Sequence, residues 1–276
     1  MAEEFTAFAA LERAGWADED VARGYCDSFT AIADQAIGAL VAAAGPVRGQ
    51  PALDLCCGPG KVAAALLAAG ADVTGVDFSP AMVAHARAAV PGARIVHGDA
   101  QALDLPDAAF DAVLSNLGIC HVPDQPAALA ECGRVLRPGG RLAFTVWVGP
   151  PDSAAFALMS DAIAAHGSAA VQAAPEPGFH RFADPATAGS VVGAAGFTDI
   201  EVSQIDCVWT LSSPDRLIAI FEGGTVRVRD LLLRQPEAAR AAVRQAAADL
   251  VRARWDAGDG TWRVPMPAAL ITARAA

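Results

Sequence analysis

The chain has 276 residues, enough for one large α/β domain or two small ones. Its formal net charge of -11 argues against a nucleic-acid partner or attachment to anionic lipid, since both need clustered lysine and arginine. Hydrophobic residues make up 54% of the sequence, many of them alanine. There is no apolar run of about 18 residues, so no membrane insertion is predicted.

Location and redox state follow from the N-terminus and the cysteines. Residues Met1 to Phe5 lack the basic cluster of a signal peptide, which favours a cytoplasmic location. The six cysteines would then be reduced. Their irregular spacing shows no paired C-x-x-C ligands, so no metal site is predicted.

Helices are predicted from about residue 3 to residue 44, and strands then alternate with helices up to about residue 148. In this part we expect strands at 52–56, 72–76, 95–96, 110–114 and 142–148. Farther on we expect a helix at 185–195, a strand at 200–209, a long helical stretch at 214–255 and a last strand at 268–272. This pattern predicts an α/β fold, with a doubly wound, mostly parallel seven-stranded sheet, N-terminal helices and a helical cap.

The predicted strand ends carry candidate ligand-binding residues. Asp54 and the turn Gly58-Pro59-Gly60 follow the first strand, Asp77 the second, Asp99 the third and Asn116 the fourth. Ligands in such sheets lie outside the carboxyl ends of the strands, and glycine lets backbone approach a ligand closely. A carboxylate at Asp77 can accept hydrogen bonds from both ribose hydroxyls, which indicates an adenosine-containing cofactor. The turn alone fits a dinucleotide nearly as well.

Four motifs, in order, resemble those of class I S-adenosylmethionine-dependent methyltransferases of the ubiquinone/menaquinone-biosynthesis (type 11) group. They are Leu53 to Gly60, Val76 to Ser79, Gly98 to Ala100 and Arg134 to Leu142. The resemblance covers roughly residues 49–147. It implies a Rossmann-like methyltransferase fold, with S-adenosyl-L-methionine as cofactor and S-adenosyl-L-homocysteine as its product.

The resemblance also implies a division of the chain and a set of cofactor-binding residues. A single methyltransferase domain would span 1–276, with an N-terminal helical lid at 1–45, a cofactor-binding core at 49–148 and variable substrate-cap segments at 150–182 and 213–262. Asp54 would help bind the methionine ammonium, Asp77 the ribose and Asp99 the adenine amino group. The full set is Tyr25, Asp54, Cys56, Gly58, Gly60, Asp77, Phe78, Met82, Asp99, Ala100 and Asn116.

One residue departs from the family pattern. Cys56 stands where the family usually has glycine. A Cβ disfavours positive φ, so we expect either an ordinary φ at this position or a shifted turn.

His121 is the candidate catalytic residue. It follows the fourth strand, on the side where the methyl group should lie, and could act as a general base. The alternative is a structural histidine that hydrogen-bonds a backbone carbonyl. His166 and His180, in the variable region, could also face the substrate.

The sequence thus predicts methyl transfer to a small, largely apolar molecule, at oxygen or carbon rather than nitrogen. The partner would be a small-molecule acceptor, and the chain is compatible with a homo-oligomer. Two alternatives stay open. One is a protein that binds S-adenosylmethionine without transferring methyl, as a sensor, a scaffold or a catalyst of another reaction. The other is an NAD(P)-dependent dehydrogenase.

Overall fold

The computed structural model describes residues 5–276, and its centre is a seven-stranded sheet in the order β3-β2-β1-β4-β5-β9-β6. Strands β1 to β5 run parallel, and β9 lies antiparallel between β5 and β6. The strands of the sheet are β1 Pro51–Leu55, β2 Asp72–Asp77, β3 Arg94–His97, β4 Phe110–Asn116, β5 Leu136–Trp147, β6 Phe197–Ile205 and β9 Ala268–Ala275. The predicted mostly parallel seven-stranded sheet is confirmed.

Side chains of the central strands alternate between two apolar layers, as the pleat requires. Leu53 and Leu55 pack into the larger layer, and Ala52 and Leu114 pack into the smaller one on the opposite face. Helices therefore cover both faces of the sheet, which is the doubly wound arrangement.

Two helices of the central region begin at side-chain caps. Ser79 caps α6 by accepting from the Met82 amide, and Asp124 caps α7 by accepting from the Ala127 amide. Proline stands in the first turn of both helices. The bounds are α5 Lys61–Ala68, α6 Pro80–Ala89 and α7 Gln125–Val135.

The N-terminal helices lie over the carboxyl ends of the strands. They are α1 Thr6–Ala17, α2 Glu19–Gly24, a π-helical turn Tyr25–Phe29, α3 Thr30–Ala33, a 3-10 turn Asp34–Ala36 and α4 Ile37–Ala43. The Ser79 hydroxyl, which caps α6, also donates to the Trp16 carbonyl at 2.6 Å. This bond fixes the end of α1 beside the end of β2. Residues 1–4 of the predicted lid lie outside the described residues.

The C-terminal part differs from the prediction in two places. The strand predicted at 200–209 is two strands, because the chain leaves the main sheet after Ile205, and β7 Val208–Leu211 pairs with β8 Trp262–Pro265 in a separate ribbon. The long helical stretch predicted at 214–255 consists of three separate helices, since extended backbone at Thr225 and at Pro236 interrupts it. These three helices are α10 Arg216–Gly224, α11 Arg227–Leu233 and α12 Glu237–Arg254. Two helices precede them in this part of the chain, α8 Ala154–His166 and α9 Pro185–Ala194. No helix within residues 5–276 is long and apolar enough to cross a bilayer.

Candidate active site

A cavity of about 610 Å³ opens at the carboxyl ends of β1, β2 and β4, beneath α1 and the π-helical turn. This volume is typical of a site for a small molecule. The predicted residues that line it are Tyr25, Cys56, Gly58, Asp77, Phe78, Met82, Asp99, Ala100, Asn116 and His121. The topology therefore brings these positions, predicted separately along the sequence, to one place.

Asp77 holds the glycine turn as well as facing the cavity. Its carboxylate accepts from the Gly58 amide and from the Ser79 amide, each at 2.8 Å. Burial raises the pKa of Asp77, and these two bonds oppose the rise. Each oxygen keeps a second lone pair that can accept from a ligand hydroxyl.

Asp54 lies next to the large cavity, in a smaller one of about 30 Å³ that shares Tyr25, Cys56 and Gly58 with it. Its carboxylate accepts from the Ala63 amide at 2.8 Å, and burial raises its pKa to about 8. The walls of the small cavity also include an ion pair that the sequence prediction missed. It joins the Lys61 Nζ to the Asp34 Oδ2 at 3.5 Å.

Gly60 lines neither cavity. Its φ is 83°, and a Cβ at this position would lie 2.9 Å from the side chain of Val90, the residue after α6. Glycine is thus needed here for the turn and for the close packing of α6. The direct approach to a ligand that the sequence predicted for this residue is not what the geometry shows.

Cys56 corrects a second expectation. Its φ is 56°, in the left-handed region, so the turn keeps the glycine-like geometry although the residue carries a Cβ. Gly118 makes room for that Cβ, because a Cβ at residue 118 would lie 2.4 Å from the Cys56 Cβ. Leu117, at the end of β4, also has a positive φ of 59°. Strained backbone therefore lies at two neighbouring strand ends that face the cavity.

His121 pairs with a residue that the sequence prediction missed. Its Nδ1 lies 2.9 Å from the Glu12 Oε2, and the same oxygen accepts from the Trp16 indole at 2.9 Å. Burial alone would lower the pKa of His121, but the Glu12 carboxylate outweighs it and raises that pKa from 6.5 to about 10. The ring is then charged at neutral pH, with no free lone pair. This disagrees with the prediction of His121 as a neutral general base.

We expect the Glu12–His121 pair to stabilise the fold in a pH-dependent way. A raised folded pKa gives stability that is fully present below pH 6.5 and is lost as pH rises through about 10. The melting temperature of the wild type should exceed that of Glu12→Gln at pH 6, and the gap should narrow toward pH 10. Glu19→Gln is the matched control, because Glu19 and His85 form a more exposed Glu–His pair. A gap that stays constant between pH 6 and 10 would contradict the assignment.

Aromatic rings form the part of the cavity beyond His121. Phe179 contacts the His121 ring at 5.1 Å and the Phe156 ring at 6.4 Å between centroids. Phe29 contacts both Trp147 and Phe221, at 6.2 and 5.6 Å. We call these five rings, Phe29, Trp147, Phe156, Phe179 and Phe221, the aromatic chamber; all of them line the cavity.

The opposite end of the cavity is more polar. Asp99 accepts from both the backbone amide and the side-chain amide of Gln101, at 2.9 Å each. Arg13 of α1 reaches over to within 3.6 Å of the Asp99 carboxylate. Phe78 and Met82 supply apolar surface beside it. Arg13 and Gln101 are further lining residues that sequence reasoning missed.

The central part of the chain is similar to known proteins. Residues 53–144 match the family model described as a methyltransferase domain. A demethylmenaquinone methyltransferase of Staphylococcus aureus (strain MRSA252) is 41% identical over 99 residues, which are 34% of this chain and 41% of that protein. The match thus spans well under half the length of that relative.

Solved structures agree with the fold. The YcgJ protein of Bacillus subtilis has a TM-score of 0.57 at 18% identity, over 87% of this chain and 97% of that chain. Phosphoethanolamine N-methyltransferase 2 of Haemonchus contortus, solved with S-adenosyl-L-methionine, has a TM-score of 0.51 at 19% identity, over 86% of this chain and 51% of that chain.

The sequence motifs and these matches together indicate S-adenosyl-L-methionine as the cofactor. Residues 53–144 are thus a methyltransferase domain, similar to those of class I S-adenosyl-L-methionine-dependent methyltransferases of the ubiquinone/menaquinone-biosynthesis group.

Proposed function

We propose that this chain transfers the methyl group of S-adenosyl-L-methionine to a small, largely apolar acceptor, at oxygen or carbon. The observation that carries the proposal is the shared cavity. It joins the motif residues Asp77 and Asp99 to the aromatic chamber without a break. A cofactor at the strand ends would therefore share one enclosed space with an acceptor.

The residues at the strand ends suit each part of the cofactor. Asp77 can accept from the ribose hydroxyls, and Asp99 can accept from the adenine amino group. Asp54 carries a carboxyl whose pKa burial raises to about 8. An ammonium beside it would restore the ionised form, and the methionine end supplies one.

The small cavity suits the charged amino-acid end of the cofactor. Lys61 offers a cation for the carboxylate, and Tyr25 brings a phenol to the wall of the same cavity. Burial raises the pKa of Tyr25, so its hydroxyl keeps its proton and can donate. These assignments extend the roles that the sequence resemblance implies for Tyr25 and Asp54.

The acceptor is proposed from the chemistry of the chamber. Five aromatic rings line this part of the cavity, so planar, apolar molecules would gain most from burial there. The relative from Staphylococcus aureus is named for methyl transfer to demethylmenaquinone, which is compatible with an acceptor of this class. A hydroxyl or an acidic carbon must lose a proton on methylation, and titratable side chains at the chamber meet that need.

The protein would act by holding the two reactants in line. The cofactor supplies an activated methyl group. Alignment of the reactants in near-attack geometry contributes about 7–11 kcal/mol in favourable cases. His121, charged by its pairing with Glu12, would donate a hydrogen bond to the acceptor oxygen and stabilise the negative charge that forms there when the acceptor loses its proton.

Labelled cofactor and a panel of phenols, quinols and amines test the proposal. We expect calorimetry to show S-adenosylhomocysteine binding without any response to NAD or NADP, and we expect label in a phenol or quinol. Cofactor binding without transfer to any acceptor would favour the binding-only alternative, and a response to NAD or NADP alone would favour a dehydrogenase. The cytoplasmic location, the compatibility with a homo-oligomer and the exclusion of nucleic acid stay predictions.

A further inference from the structure

We infer that His180, not His121, is the residue that accepts the proton from the methyl acceptor. The inference rests on the proposed function, because it names the base for that reaction. His180 lies in the loop after α8 and lines the same cavity as His121. Three features of its surroundings support this role.

The first feature is the tautomer of the ring. The His180 Nδ1 lies 2.8 Å from the carbonyl oxygen of Trp147. A carbonyl can only accept, so the hydrogen must be on Nδ1. In the neutral ring, Nε2 then carries the lone pair, and within residues 5–276 the one hydrogen bond of the ring is that of Nδ1. His180 therefore presents a free basic nitrogen.

The second feature is the fixed position of the ring. Besides the bond to Trp147, the ring packs against Phe156 at 4.8 Å and against Phe179 at 5.0 Å between centroids. A Cβ at Gly149 would lie 3.0 Å from the ring, so the backbone of that glycine lies directly behind it. A base held in one orientation needs little reorganisation when the proton moves.

The third feature is the contrast with His121 on the other side of Phe179. Burial lowers the pKa of His180, and the bond to Trp147 only partly offsets this. The charged side chains around this end of the cavity include Glu12, which pairs with His121, Glu176, which pairs with Arg227, and Arg181, the next residue after His180. Because both carboxylates have other partners, neither is free to charge His180. One histidine is thus cationic and the other neutral, a separation typical of acid and base roles.

The proton step balances as follows for a hydroxyl acceptor. The O–H bond breaks, and the proton moves to Nε2 of His180, which becomes an imidazolium. The oxygen electron pair forms the bond to the methyl carbon. The bond between that carbon and sulfur breaks, and its electron pair stays on sulfur in S-adenosylhomocysteine. The imidazolium then gives its proton to water.

His180→Asn provides the kinetic test, because the asparagine amide can still donate to the Trp147 carbonyl but has no basic nitrogen. With an unactivated phenol we expect turnover to fall about 10²–10⁴-fold, whereas 4-nitrophenol, already ionised near neutral pH, should lose far less. The acid limb of the kcat/KM profile should disappear, and S-adenosylhomocysteine affinity should stay within about twofold. His166→Asn is the matched control, because His166, which was also a sequence candidate for facing the substrate, is exposed on α8 and does not line the cavity. Equal losses for both phenols, or an unchanged acid limb, would overturn the inference.

A second measurement does not depend on turnover. Nitrogen-15 NMR of histidine-labelled protein with S-adenosylhomocysteine bound reports ring protonation directly. At pH 7.5 we expect a neutral His180 with hydrogen on Nδ1, and a doubly protonated His121. A charged His180, or hydrogen on its Nε2, would overturn the inference even if methyl transfer occurs. Absence of transfer by the wild type, with S-adenosylhomocysteine bound and His180 neutral, would instead count against the proposed function.

Discussion

Replacement of Asp77 by alanine is expected to weaken S-adenosylhomocysteine binding by about 10²–10⁴-fold. Two ribose hydroxyls would lose a charged acceptor, and each such hydrogen bond contributes about 1.5–3 kcal/mol, with 1.4 kcal/mol equal to a tenfold change in affinity. The change also removes the acceptor for the Gly58 and Ser79 amides. The turn that approaches the ligand would thus lose its support at the same time.

Two further variants separate these contributions. Asp77→Asn keeps the shape of the side chain but can no longer accept at both positions, so its affinity should fall between those of the wild type and Asp77→Ala. Asp72→Ala is the matched control, since Asp72 is exposed at the other end of the same strand. Calorimetry gives the affinities, and circular dichroism gives the melting temperatures. A wild-type affinity for Asp77→Ala would rule out its assigned ribose contact.

The strand-end residues were predictable because their position follows from topology alone. Parallel strands with right-handed crossovers place every carboxyl end at one edge, so Asp77, Asp99 and Gly58 had to meet once the strands were recognised. A local signal is also present at the start of α6, where the capping residue Ser79 directly precedes a proline.

The acceptor side of the cavity was not predictable in the same way. Glu12 and His121 are 109 residues apart, and nothing in the local sequence of either one indicates the other. Phe179 and His180 lie in a loop without periodicity, so their place beside His121 and β5 depends on tertiary packing. The sequence indicated that His121 lies near the site. It did not indicate Glu12, the partner that determines the charge of the His121 ring.

The backbone geometry of the turn after β1 was also not predictable from the sequence. A sequence motif indicates that glycine is usual at position 56, but only the structure shows how a Cβ is tolerated there. Cys56 keeps its φ of 56° because residue 118, on the neighbouring strand end, has no side chain. This relation between two distant positions leads to a prediction about stability.

Gly118→Ala is expected to destabilise the fold by about 1–3 kcal/mol, the usual range for overpacking. The new Cβ would lie 2.4 Å from the Cys56 Cβ, far inside the normal carbon contact distance of about 3.5–4.0 Å. Cys56→Gly alone should change stability by less than about 1 kcal/mol. Removal of the Cβ relieves the strain of a left-handed backbone, which stabilises the fold by about 1–2 kcal/mol. Glycine also makes the unfolded chain more flexible, which destabilises the fold by about 0.5–1 kcal/mol.

The double variant decides whether the two positions act as a pair. Cys56→Gly should recover part of the stability lost in Gly118→Ala, with a coupling energy of about 1 kcal/mol or more in urea unfolding. Recovery should be incomplete, because the Ser115 Oγ would still lie 2.8 Å from the new Cβ. Gly38→Ala is the control, since a Cβ there meets no atom within 4 Å and helix propensity favours alanine. Strictly additive effects would show that Gly118 is constrained by something other than the Cβ of Cys56.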